Sequence, residues 1–92
     1  MKRSRLQIYY SGRVQGVGFR YTVKGLVPGF EVRGIIRNLA DERVELIVEG
    51  SKDELGAFRQ AIRESGLGAF ISQEEIAWGE ATNEFRGFEI VG

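Results

Sequence analysis

The segment Gly12-Arg13-Val14-Gln15-Gly16-Val17-Gly18-Phe19-Arg20 sets three glycines within seven positions, follows a strand-like run, and closes on an arginine. Such a chain can curl successive backbone N–H groups toward one point, because glycine reaches backbone angles that other residues take only at a cost. The Arg20 guanidinium beside them adds a forked, permanently charged donor. The amides of Gln15, Gly16, Val17, Gly18, Phe19 and Arg20, with that guanidinium, make a cradle for a phosphate or another anion. Asn38 lies 18 residues beyond Arg20. Its amide both donates and accepts hydrogen bonds, so it can orient a water without being a strong base. Each feature alone has a plainer reading. The glycines suit a tight strand-to-helix turn, Arg20 a surface ion pair with an acid such as Glu84, and Asn38 the start of a turn.

The elements that position these residues are legible in the patterning. Leu6, Ile8 and Tyr10 alternate with Gln7, Tyr9 and Ser11, a half-buried strand. The glycine loop follows, and Phe19 to Val27 reads as a short helix with Val23, Leu26 and Val27 on its buried side. Pro28 disfavours helical geometry at Val27. Val32 to Leu39 reads as a second strand, residues 40–43 as a turn, and Val44 to Glu49 as a third strand. Ser51-Lys52-Asp53-Glu54 has the form of a capping box, serine at the N-cap and glutamate three residues on. Leu55, Phe58 and Ile62 continue as one apolar stripe, and Gly66 stops that helix. Ile71 to Trp78 and Phe85 to Val91 read as two more strands. The order is βαββαβ plus a C-terminal strand. It fits an α+β sandwich, with two helices on one face of an antiparallel sheet and the third strand filling the gap beside the first. That topology brings the glycine loop and Asn38 to the same end of the sheet.

Composition narrows the chemistry. Ninety-two residues make one domain, 1–92, able to bury roughly 60–70% of its unfolded surface. There is no cysteine and no histidine, which removes disulfides, thiol nucleophiles, imidazole bases and histidine metal ligands. Thirteen basic residues balance thirteen acidic ones, so no broad cationic field exists for nucleic acid or an anionic membrane. The basic start Met1-Lys2-Arg3-Ser4-Arg5 is followed by no apolar stretch of the signal-peptide kind, and no apolar run approaches the ~20 residues of a membrane span. A cytoplasmic monomer is the expectation.

Gly12 to Arg20 resembles the signature loop of the acylphosphatases. Gly34-Ile35-Ile36-Arg37-Asn38 resembles their second signature, and Gly87-Phe88-Glu89-Ile90 is similar to their C-terminal strand. The resemblance spans nearly the whole chain. It implies a ferredoxin-like fold and the hydrolysis of acyl phosphates to a carboxylate and inorganic phosphate, with no metal, cofactor or covalent intermediate. It places the family's loop arginine at Arg20 and its catalytic asparagine at Asn38. The chain departs from the pattern in four places. The first helix is shorter and less charged, Val23 stands where threonine is common, Ile35 where an aromatic is common, and Glu42 where the turn usually has glycine.

Two other readings belong to different classes. An anion- or carbamoyl-phosphate-binding module, like the acylphosphatase-like domains of larger maturation proteins, would bind without turnover. An RNA-recognition module shares the βαββαβ order, but needs aromatics on its third strand, where this chain has none. Tyr9, Tyr10 and Trp78 read as packing residues, and Asp41, Glu42, Glu74 and Glu75 as a solvated face rather than paired carboxylates.

Overall fold

A computed structural model describes residues 2–92. The chain forms β1 (Ser4–Gly12), α1 (Phe19–Leu26), β2 (Arg33–Asn38), β3 (Val44–Gly50), α2 (Lys52–Glu64), β4 (Ile71–Glu80) and β5 (Phe88–Ile90). Short 3-10 turns at Val27–Gly29 and Leu67–Phe70 follow the two helices. The five strands make one sheet in the order β4-β1-β3-β2-β5. β3 fills the gap between β1 and β2, antiparallel to both, and β4 runs antiparallel to β1. The expectation of an antiparallel sheet therefore holds for four strands. The fifth differs: β5 lies parallel to β2, pairing Gly34 with Phe88 and Ile36 with Ile90. The arrangement is ferredoxin-like, with an added parallel edge.

The helices form where the patterning puts them. Ser51 caps α2, its Oγ accepting from the Glu54 N–H at 3.2 Å. α1 ends at Leu26, one residue before the expected limit, and Pro28 is the second residue of the following 3-10 turn. Leu55, Phe58 and Ile62 of α2 and Phe19 and Val23 of α1 pack on Leu6, Ile8 and Tyr10 of β1, Ile36 of β2, and Val44, Leu46 and Val48 of β3. Phe58 is the hub of an aromatic group, with ring centroids 5.4 Å from Phe30 and 6.2 Å from Phe88. Burying one such side chain stabilises the fold by ~1.5–3 kcal/mol.

The other face of the sheet is closed by polar contacts. All seven residues of β3 are buried, Glu45 and Glu49 included. Glu45 accepts from Arg37 Nε at 2.6 Å and Gln7 Nε2 at 2.7 Å. Glu49 accepts from the N–H groups of Thr82 and Asn83 at 2.8 and 2.9 Å, and from the Thr82 hydroxyl and Arg5 at 3.0 Å. These bonds hold residues 81–87, which carry the chain from the β4 edge to the β5 edge. Burial works to raise both carboxyl pKa values, but the facing donors prevail and both lie below the ordinary range. Glu74 corrects the solvated-face expectation. Its side chain is only 6% exposed and pairs with Arg59 at 2.9 Å and with Arg63, tying β4 to α2.

Candidate functional site

The glycine loop leaves β1 at Gly12 and enters α1 at Phe19. Gly16 and Gly18 adopt φ of +80° and +75°, the left-handed region where a Cβ is strained. Gly18 is the N-cap of α1, so no side chain caps that helix, and its first turn carries no acid. Among the described residues, no protein group accepts from any backbone N–H between Val14 and Tyr21. The first such bond runs from Thr22 N–H to Gly18 C=O at 3.0 Å. A row of free donors at a helix start, undiluted by carboxylates, favours an anion. Phe19 is 1% exposed and packs against Tyr10 with centroids 5.1 Å apart, anchoring the loop in the core as expected.

Val14, Gly16, Gly18, Phe19, Arg20, Tyr21 and Asn38 line a concavity of about 270 Å³. The loop and the end of β2 therefore meet. Arg20 is half-buried, and among the described residues its guanidinium pairs with no carboxylate. Glu84, its candidate partner, instead sits 3.3 Å from Arg5. Two expected loop residues lie outside the lining. Val17 packs against the core. Gln15 turns its side chain to the β2–β3 turn, where Nε2 donates to the carbonyls of Leu39 and Arg43, both at 2.9 Å. Sequence reading missed that side-chain role, because nothing local to the loop reveals that the turn will lie opposite it. It also missed Val14 and Tyr21 as lining residues.

Asn38 ends β2, opposite Val44. Its Oδ1 is buried with no hydrogen-bond partner among the described residues. The turn beyond it draws its geometry from other residues. Glu42 supplies the left-handed position at φ +74°, Asp41 Oδ1 accepts from the Arg43 N–H at 3.2 Å, and Leu39 N–H donates to Arg43 C=O at 2.8 Å. A turn-starting asparagine would make one of these contacts, and Asn38 makes none of them. A buried amide oxygen left unpaired costs stability.

Comparison with known proteins shows the family. The sequence profile of the acylphosphatase family matches residues 6–90. The chain belongs to the acylphosphatase family. It is 35% identical over 92 residues to the acylphosphatase of Pyrobaculum islandicum, covering 99% of this chain and 97% of that one. It is similar to the crystal structure of acylphosphatase from Bacillus subtilis, with a TM-score of 0.84, 28% identity, and coverage of 97% of this chain and 99% of that one. It is also similar to full-length HypF crystallised in a phosphate- and nucleotide-bound form. There the TM-score is 0.83 and the identity 29%, over 99% of this chain but 12% of that one. Both a stand-alone acylphosphatase and a domain of a longer protein thus share this fold.

Proposed function

We propose that residues 1–92 act as one domain, an acylphosphatase that hydrolyses an acyl phosphate to a carboxylate and inorganic phosphate. The N–H groups from Gln15 to Arg20 hold the phosphoryl oxygens, and the Arg20 guanidinium compensates their charge. Asn38 aligns the attacking water opposite the departing acyl oxygen, as an in-line displacement requires. The water oxygen bonds to phosphorus as the phosphorus–acyl oxygen bond breaks, and the electron pair leaves with the carboxylate. That leaving group is good enough to depart without a general acid, which suits a chain lacking histidine and cysteine. The water proton passes to a phosphoryl oxygen of the substrate.

The observation that carries this reading is that Asn38 lines one cavity together with Arg20 and the glycine loop. Among the described residues, no three His, Cys, Asp or Glu side chains cluster to hold a metal ion. No described helix is long and apolar enough to cross a membrane. We take the protein to act as a cytoplasmic monomer, which size exclusion and cell fractionation test. The deciding experiment is hydrolysis of benzoyl phosphate in the presence of a chelator, beside Arg20→Ala and Asn38→Ala. Fast turnover lost in both variants supports the reading. Phosphate binding without turnover would replace it with the anion-binding module.

A further inference from the structure

We infer that the Gln15 side chain is a positioning residue: it sets the distance and angle between the anion loop and Asn38. The inference rests on the function proposed above and adds a residue to it. Gln15 stands immediately before Gly16, whose left-handed backbone starts the curl of the loop. Leu39, which follows Asn38, and Arg43 accept its two side-chain bonds across 24 and 28 residues of sequence. A primary amide has two N–H groups spread as a fork, and two carbonyl oxygens face it, so one side chain fills both acceptors. The carbonyls are themselves fixed, because the Leu39 N–H is bonded to the Arg43 carbonyl at 2.8 Å.

The Gln15 amide therefore grips a closed turn rather than a mobile one. The Arg43 carbonyl it holds also accepts the N–H of the Asn38–Leu39 peptide, so the Gln15 amide reaches Asn38 through one shared acceptor. Without this grip the loop and the end of β2 belong to separate elements, joined at this end, among the described residues, only by packing. The core contacts of Phe19 and Val14 would still hold the loop amides in place. Removing the Gln15 bonds should leave the phosphate cradle intact and misalign the asparagine against it. Misplacement by about 1 Å can cost about 100-fold in rate.

The test is a double-mutant cycle on benzoyl phosphate hydrolysis with Gln15→Leu, Asn38→Ala and their combination. Inorganic phosphate serves as the binding probe. If Gln15 acts through Asn38, Gln15→Leu lowers kcat by about 30-fold in the parent, with KM and phosphate affinity within about threefold. In the Asn38→Ala background it lowers kcat by less than about threefold, since the group it positions is gone. Gln15→Met, which keeps the length of the side chain but cannot donate, should behave like Gln15→Leu.

Full additivity of the two losses would overturn the inference, as would a fall in phosphate affinity matching the fall in rate. Failure of both Gln15 variants to fold would also overturn it, by making the residue a folding determinant. Absence of turnover in the parent would remove the acylphosphatase reading and this inference together. Turnover in the parent with additive losses removes this inference alone.

Discussion

Asn38→Ala should separate activity from stability. In the proposed reaction Asn38 fixes the attacking water, and losing one preorganised polar group at a site of developing charge costs ~3–4 kcal/mol, about 100–1000-fold in kcat. Stability should move the other way. The Asn38 Oδ1 is buried and unpaired among the described residues, a state that costs about 1–3 kcal/mol. Its backbone does not occupy the left-handed region, so alanine introduces no strain there. Part of the gain is offset by the lost packing of a half-buried side chain. The net is about +1 kcal/mol, which raises the melting temperature of a domain this size by ~4–8 °C. Steady-state kinetics on benzoyl phosphate, thermal melts by circular dichroism and phosphate titration measure the three quantities. The expected pattern is a collapsed kcat, phosphate affinity within about threefold, and a higher melting temperature. Loss of more than about 1 kcal/mol of stability, with less than about a tenfold fall in kcat, would refute the reasoning and return Asn38 to the turn.

Other variants test separate parts of the account. Arg20→Lys keeps the charge but loses the fork, so inorganic phosphate should inhibit about 10–100-fold more weakly, read from competitive inhibition constants. Glu42 holds φ +74° in the β2–β3 turn, where a Cβ is strained, so Glu42→Gly should raise stability by about 0.5–1 kcal/mol in urea unfolding with kcat unchanged. Glu49→Gln places an amide N–H against the donors of Thr82 or Asn83 and should cost about 2–4 kcal/mol at pH 7. Glu49 has its carboxyl pKa held below the ordinary value near 4.5 in the folded protein. Its contribution is therefore full above pH ~4.5 and lost as pH falls through the lower folded value. Melts from pH 6 to 3 should fall more steeply for the parent than for Glu49→Gln; parallel curves would exclude Glu49 as a source of acid sensitivity.

Much of this arrangement is legible in the chain, for local reasons. Alternation gives β1 and β3, the Ser51–Glu54 spacing gives the start of α2, and the loop glycines mark the positive φ at Gly16 and Gly18. The topology then brings Arg20 and Asn38 to one cavity. What stays hidden depends on neighbours distant in sequence. β3 alternates like a strand with one wet face, yet Glu45 and Glu49 are buried, because Arg37, Gln7 and residues 82–83 close over them. Phe88–Ile90 carries no sign of its parallel pairing with β2, which follows from where residues 81–87 deliver it. Glu74 reads as exposed until α2 sets two arginines beside it. Gln15 reads as a polar loop residue until the turn at Leu39 and Arg43 is placed across from it.

The strand order also dictates when the site comes into being as the chain folds. Asn38 and Val44 pair within a hairpin, whereas Tyr10 must find Val44 across 34 residues before the anion loop reaches Asn38. Loop-closure entropy scales with length to give about 3 kcal/mol for the long pairing and about 1.6 for the hairpin, before a shared constant. The long pairing is thus the slower, later event, and the two halves of the site are apart until it happens. A bound phosphate has nothing to grip in the unfolded chain or in the hairpin alone. It must act by holding the finished protein closed, slowing unfolding while leaving the climb to the folding barrier as it was.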